Sequence, residues 1–408
     1  MLPRDLRRAV ARLVVHDEQL VHVRVFAERC EARADPLRLV AGRDHHRHRP
    51  GGRWRAWGER RRESASAPES AERRERDQGP QHAGYGARTA RGQPLRFWTH
   101  DRFAFPLPPG HRFPITKYAL IRERVEADWL GEVCESPAAS WESLALVHTD
   151  AYLQRMRTGA LELREARGLG LPWSPELVER ARHSSWGTVE AARDALTDGW
   201  GMNLGGGTHH AYADRGRGYC VFNDVVLAVR VLRRAGLVER VLVVDCDVHQ
   251  GDGTASLCAD DPLTYTLSVH GAANYPFHRE TSSLDVDLPT GTADDAYLSA
   301  LDDALDQALP VARPDLVFYL AGADPWEGDK LGRLALTKAG LRARDTLVLD
   351  RADAHGLPCC TTLAGGYAPD PADTVDIYAA TATLVSQKAH GLRTDTHGIA
   401  PTRPQRLP

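Results

Sequence analysis

The stretch Arg240-Val241-Leu242-Val243-Val244-Asp245-Cys246-Asp247-Val248-His249-Gln250-Gly251-Asp252-Gly253 decides how this chain folds. Its first half is a continuous apolar run with no polar alternation. That is the pattern of a parallel strand covered on both faces, not of a strand wetted on one side. The run then breaks abruptly into acids and a histidine. The same break recurs at three other places. Residues 201–204 run into Gly205-Gly206-Gly207-Thr208-His209-His210, residues 316–321 into Gly322-Ala323-Asp324, and residues 359–363 into Ala364-Gly365-Gly366-Tyr367. Ligands of open α/β sheets bind beyond the carboxyl ends of the strands. Four strand ends are therefore expected to deliver His, Asp and Tyr side chains to one rim.

Working outward, strands are predicted at 95–98, 201–204, 240–245, 263–269, 316–321 and 359–363. Helices are predicted at 117–127, 176–183, 187–196, 223–235, 294–308 and 337–354. Strand–helix alternation over roughly 300 residues indicates a doubly wound α/β sheet. No internal repeat is evident.

The chain has 408 residues, 42% of them hydrophobic, ample for a large core. Its formal charge of −3 is unevenly spread: residues 1–92 hold 21 Arg and no Lys against 13 acids, a net +8, which leaves −11 for the rest. Apolar residues are too sparse in 1–92 to form a periodic face, so this extension is expected to be disordered and dispensable, and a start site placed upstream of the true one would explain it. A flexible tail is expected at 391–408. No apolar run reaches the ~18 residues of a membrane span, and the charged N-terminus does not resemble a secretory signal. Seven cysteines without a CxxC pair read as reduced thiols of a cytoplasmic protein. The arginine-rich extension lacks the aromatic interleaving of a nucleic-acid binder, so neither nucleic acid nor membrane is expected as a partner.

On a strand end, residues two apart face the same side, so Asp245, Asp247 and His249 can converge. One imidazole with carboxylates suits a borderline divalent cation such as zinc. Asp324, at another strand end, is the natural third ligand, and three ligands leave the open position of a catalytic site. Such acids also serve as helix caps in many proteins. His209 and His210 follow three glycines, which permit unusual dihedrals and close backbone approach. Hydrolysis needs a base to take a proton from water and an acid for the leaving amine, and imidazole serves both near neutral pH. Asp245 and Asp252 are available to accept a ring N–H from these imidazoles. Tyr367, after two glycines, is either a half-buried aromatic or a phenol aimed at a developing oxyanion.

Taken in order, Gly205-Gly206-Gly207-Thr208-His209-His210-Ala211, Gly218-Tyr219-Cys220-Val221-Phe222-Asn223-Asp224, the stretch from Asp245 to Thr254, Gly322-Ala323-Asp324 and Gly365-Gly366-Tyr367 resemble the histone deacetylase superfamily. The resemblance covers residues 93–390 and implies a single three-layer α/β domain of the arginase/deacetylase type. Gly199–Gly207, Gly328-Asp329-Lys330-Leu331-Gly332 and His111-Arg112-Phe113-Pro114 with Lys117 look most like the class IV branch and its bacterial relatives.

The resemblance implies the following roles. Asp247, His249 and Asp324 bind one zinc ion. His210, oriented by Asp252, is the principal base and acid, and His209, oriented by Asp245, assists. Tyr367 stabilises the oxyanion. Asp245, Asp247, His249, Ser268 and Val269 match a structural potassium site. Gly218, Tyr219, Tyr275 and Leu331 match the acyl-lysine channel. The family loop that offers an acidic residue to the substrate backbone is not recognisable between Gly168 and Pro175. The expected substrate is an acyl-lysine protein, with acetylpolyamines or another small acylated amine as the alternative. A silent acyl-lysine binder would lack one of these groups, and none is missing. A dinuclear manganese hydrolase would need more bridging carboxylates than Asp247 and Asp324.

Overall fold

The computed structural model describes residues 94–391. The arginine-rich segment 1–92 with Cys30, and all but the first residue of the expected tail 391–408, lie outside the described residues.

Eight strands, β1 (Arg96–Thr99), β2 (Glu132–Glu135), β3 (Trp200–Asn203), β4 (Val241–Asp245), β5 (Thr264–Gly271), β6 (Leu284–Leu288), β7 (Leu316–Ala321) and β8 (Cys359–Leu363), form one sheet in the order β2-β1-β3-β8-β7-β4-β5-β6. All seven pairings are parallel. The helices that position the site are α1 (Lys117–Ala127), α2 (Trp141–Leu144), α3 (Asp150–Thr158), α4 (Leu163–Leu169), α5 (Pro175–Asp198), α6 (Asp224–Arg234), α7 (Asp252–Cys258), α8 (Asp294–Ala312), α9 (Lys338–Ala354) and α10 (Pro371–Ala389).

Strand β4 shows why its run has no alternation. Leu242 and Val244 point into one core, with Tyr297 and Leu301 of α8, Leu341 and Leu349 of α9 and Tyr378 of α10. Val241 and Val243 point into the other, with Val189 of α5 and Val225 and Leu232 of α6. Both faces are dry, so both parities of the strand are apolar. The result is the expected three-layer α/β architecture.

The two strands that were not expected, β2 and β6, are the edges of the sheet. Both carry acids within the strand, Glu-Val-Cys-Glu in β2 and the alternating Leu-Asp-Val-Asp-Leu in β6, because an edge strand keeps contact with water. The helices expected at 176–183 and 187–196 are one 24-residue helix, α5. Gly187 does not break it. A Cβ there would lie 2.6 Å from Ser136 Oγ and 2.9 Å from Asn203 Nδ2, so the glycine lets α5 approach the sheet. Helix α8 runs past 308 and through Pro310 to Ala312. Helix α10 was not anticipated, although Asp370-Pro371 is an N-cap followed by an N1 proline, and the Asp370 carboxylate accepts the Ala372 N–H.

Topology places the site. The chain inserts β7 and β8 between β3 and β4, so the four strands with polar termini are immediate neighbours. Their registers align Asn203, Thr362, Leu320 and Asp245 in one row. The segments that follow, 204–210, 363–367, 321–324 and 246–249, therefore leave the sheet at one level.

Candidate active site

The loop after β3 carries His209 and His210, and the Asp224 carboxylate at the start of α6 braces it. Asp224 accepts N–H bonds from Gly207 at 3.0 Å and Thr208 at 2.7 Å, and hydroxyl bonds from Thr208 and Thr188. Both imidazoles end in carboxylates: His209 Nδ1 lies 2.6 Å from Asp245 Oδ2, and His210 Nδ1 lies 2.6 Å from Asp252 Oδ1. In each, the Nδ1 contact turns Nε2 away from the partner carboxylate, and His209 Nε2 lies 3.9 Å from Asp247 Oδ1. The ring centroids are 4.1 Å apart.

These two histidines differ in their electrostatics. Burial disfavours the charged form of His209, but the carboxylates of Asp245 and Asp247 outweigh it and raise the ring to about 9. Burial also lowers His210, the charge on His209 adds to that effect, and Asp252 compensates only in part, so it falls to about 4. One imidazole thus favours its protonated form and its neighbour the neutral form. Asp252 is shared further than the sequence suggested. Its second oxygen accepts Arg217 Nη1 at 2.7 Å and the Tyr212 hydroxyl at 3.0 Å. A lone arginine or tyrosine carries no motif that would have marked it.

Asp247, His249 and Asp324 are all buried, and their ligand atoms lie within 4.8 Å of one another. His249 Nδ1 is 2.9 Å from Asp247 Oδ1 and 3.2 Å from Asp324 Oδ2. The Asp324 Oδ2 atom, buried, has no aligned hydrogen-bond donor. An unmet buried acceptor costs roughly 1–3 kcal/mol, and more when charged. Burial, and then the Asp247 charge, push the Asp324 carboxyl up to about 7. Burial acts against the His249 cation, but the two carboxylates hold it up to about 10. Burial opposes ionisation of Asp247 too, yet His209 and His249 keep it below the usual carboxylate range. The cluster thus holds a proton where its one nitrogen and two oxygen donors would suit a borderline divalent ion. Gly365 closes the cradle: a Cβ there would lie 1.9 Å from Asp324 Oδ2 and 2.7 Å from Asp247 Oδ2.

Tyr367 lines the same cavity as His209, His210, Asp247, His249 and Tyr219. Burial pushes its phenol well above the ordinary value, so it stays a neutral donor. The Tyr219 ring sits 5.9 Å from the Tyr367 ring, and the Tyr275 ring 5.1 Å from His210. Gly218 and Tyr219 both have positive φ, +54° and +68°. A Cβ at Gly218 would reach 2.6 Å from His210 Cδ2, so only glycine lets this turn close on the imidazole. Leu331 is half-buried and is tied to the Tyr275 segment by Asn274 Nδ2, which donates to its carbonyl at 2.9 Å. Ser268 pairs in register with Asp245, and its hydroxyl is 2.9 Å from His270 Nδ1. Val269 is buried in the next position of β5. Of the residues singled out from the sequence, His209, His210, Gly218, Tyr219, Asp247, His249 and Tyr367 line one cavity, and Asp245, Asp252, Asp324 and Tyr275 contact its lining. Lys117 and Arg180, two buried cations on the cavity wall, were not given roles from the sequence.

A family model described as the histone deacetylase domain matches residues 111–383. An uncharacterised protein of Picosynechococcus is 41% identical over 281 residues, 68% of this chain and 93% of that protein. Histone deacetylase 2 of Arabidopsis thaliana is 33% identical over 63% of this chain and 70% of its own length. A probable deacetylase of Methanothermobacter thermautotrophicus is 32% identical over 62% and 79%. Among solved structures, an HDAC homolog complexed with SAHA superposes with a TM-score of 0.62 at 22% identity, covering 74% of this chain and 85% of that one, a likeness of fold.

Proposed function

The chain belongs to the histone deacetylase superfamily, and from that premise we propose that it is a zinc-dependent amidohydrolase removing acyl groups, acetyl or longer, from lysine side chains. The observation that carries the proposal is the pair of carboxylate–imidazole dyads, each at 2.6 Å, beside the buried Asp247, His249 and Asp324.

Asp247, His249 and Asp324 would hold zinc, which when bound supplies Lewis acidity to the amide carbonyl and to water. His210, neutral on its depressed affinity for protons, takes the proton of the attacking water at Nε2 while Asp252 holds its Nδ1–H. His209, held as the cation by Asp245 and Asp247, stabilises negative charge beside it and is placed to share protonation of the leaving amine. Tyr367 donates its phenol hydrogen to the carbonyl oxygen as that oxygen becomes an anion. Tyr219 and Tyr275 flank the aliphatic part of the acyl-lysine, Gly218 lets the wall approach, and Leu331 lines the mouth. Asp245, Asp247, His249, Ser268 and Val269 form the proposed potassium site, which would neutralise the acids beneath the reaction centre.

Further features bear on the finer points. Phe113, Leu171 and Leu177 extend the cavity wall with apolar surface, which suits acyl groups longer than acetyl and a class IV-like relative. No helix among the described residues is long and apolar enough to cross a membrane. The described cysteines are free thiols, as suits a reducing compartment such as the cytoplasm.

The test is a panel of acyl-lysine peptides and acetylpolyamines assayed with wild type and His210→Ala, alongside metal analysis. One zinc per chain, with hydrolysis of acyl-lysine lost in the variant, is the expected outcome. Two manganese ions per chain, preference for acetylpolyamines, or a variant as active as wild type would each overturn part of the proposal.

A further inference from the structure

Asp329, in the segment after β7, has no part in the chemistry described so far. Its Oδ2 accepts the backbone N–H of Tyr367 at 2.6 Å. Its Oδ1 accepts the N–H of Leu331 at 2.8 Å and of Gly332 at 3.1 Å. The Leu331 carbonyl in turn accepts Asn274 Nδ2, one residue before Tyr275. One carboxylate thus joins the segments that carry Tyr367, Leu331 and, through Asn274, Tyr275. No ion pair engages Asp329 among the described residues, so its oxygens are given over to backbone N–H groups.

Tyr367 has particular need of such a tie. It follows Gly365 and Gly366, and Gly366 has a φ of +153°, a region other residues rarely adopt. The two glycines have their own anchors. The Gly365 N–H donates to Asp247 Oδ2 at 2.6 Å, and Lys117 Nζ donates to the Gly366 carbonyl at 3.3 Å. The N–H of Tyr367 itself is held by Asp329. A tyrosine hydroxyl stands roughly 6.5 Å from its Cα, so a swing of about 10° moves it by about 1 Å, enough to cost about 100-fold in rate.

We propose that Asp329 is a positioning residue with two separate tasks: its Oδ2 fixes the Tyr367 backbone and with it the phenol, and its Oδ1, through Leu331 and Asn274, orders the channel mouth. The inference rests on the amidohydrolase reading, in which that phenol stabilises the oxyanion. Asn274 holds only the mouth, so its loss weakens substrate binding without disturbing the phenol.

The test uses the zinc-loaded full-length protein with Asp329→Asn, Asn274→Ala, Tyr367→Phe and the double variant Asp329→Asn/Tyr367→Phe. Asp329→Asn should lower kcat by about 10- to 100-fold. In the Tyr367→Phe background the same change should alter kcat less than about threefold, because the group it positions is gone. Asn274→Ala should raise KM several-fold and leave kcat within about threefold. Hydrogen exchange adds a readout that does not depend on activity. The Tyr367 amide should exchange at least about 100-fold more slowly than a free amide in wild type, and lose that protection in Asp329→Asn. An equal fall in kcat in both backgrounds marks a merely structural role and overturns the proposal, as does an unchanged kcat in Asp329→Asn. If that variant does not fold, a wild-type Tyr367 amide exchanging at the free rate overturns it, and slow exchange with the Asn274→Ala split supports it. If wild type and Tyr367→Phe are equally inactive on every amide while the protection still depends on Asp329, the amidohydrolase reading has failed and the latch stands.

Discussion

Replacing Gly365 with alanine adds one methyl group to the wall of the proposed metal cradle, and the structure sets the size of the effect. The new Cβ would lie 1.9 Å from Asp324 Oδ2, 2.7 Å from Asp324 Cγ and 2.7 Å from Asp247 Oδ2. Contacts of a real Cβ below 3.0 Å are essentially never observed, so the Asp324 carboxylate must retreat by about 1 Å. Metal–ligand distances tolerate only about 0.2 Å. Asp324 is fully buried and Gly322 packs against Asp247 from the other side, so the carboxylate has no second position from which to bind. The φ of Gly365 is not in the left-handed region, which makes the penalty steric and not a backbone effect. The expected result is a zinc Kd raised at least 100-fold, or about 2.7 kcal/mol, measured by competition against a chromophoric chelator. Overpacking should also lower stability by about 1–3 kcal/mol, so the titration belongs well below the melting temperature. Gly168→Ala, whose Cβ meets nothing within 4 Å, is the control and should bind zinc as wild type does. A Gly365→Ala protein with wild-type zinc affinity would refute the assignment of Asp324 and Asp247 as joint ligands.

Three other perturbations follow from the same geometry. His148 donates from Nδ1 to the Tyr212 carbonyl and accepts the Asn223 N–H at Nε2; burial lowers it to about 4, so folding excludes the proton that the unfolded chain takes up below about 6.5. Stability is therefore intact above pH 6.5 and falls as pH drops from 6.5 to 4, by roughly 3 kcal/mol in all; urea unfolding should show a steeper decline in wild type than in His148→Gln, and equal slopes would contradict it. Arg344 is fully buried, paired with Asp345 and donating to the Gly322 and Cys246 carbonyls, so Arg344→Met leaves Asp345 with only the Tyr319 and Thr381 hydroxyls and no countercharge, and should cost about 3–5 kcal/mol by denaturant unfolding. Asp252→Asn keeps the shape but removes the charge that holds the His210 Nδ1–H and pairs with Arg217, and kcat/KM should fall by about 10²-fold or more, read below the melting temperature of the variant; activity within twofold of wild type would remove Asp252 from the mechanism.

The central part of the fold was legible because local pattern and tertiary role coincide there. Strands β4, β7 and β8 are buried at every position, with few polar residues before their carboxyl ends, and each ends where a polar cluster begins. Strands β2 and β6 were missed because they are short, only partly buried and interrupted by acids. Helix α5 was divided in two because a glycine inside a helix signals weakness in one dimension, whereas Gly187 serves close approach in three. In the site, dyad partners, ligand candidates and the Tyr367 phenol were all named from motifs at strand ends. Arg217, Tyr212, Lys117 and Asp329 were not given roles, because nothing about a single charged residue tells which carboxylate or backbone group it will meet.

Sequence alone determined the strand-and-helix alternation, the polar termini and the chemistry they can hold, since these depend on residue type and spacing within one segment. Only the tertiary structure decided that β7 and β8 lie between β3 and β4, which brings four distant termini to one level. The same packing separates His209 from His210, two adjacent and identical residues, into one imidazole held up to about 9 and one lowered to about 4. The physical reason is that a strand's pattern reports which faces are dry. Charge, proton affinity and metal affinity depend on neighbours that the chain brings together only by folding.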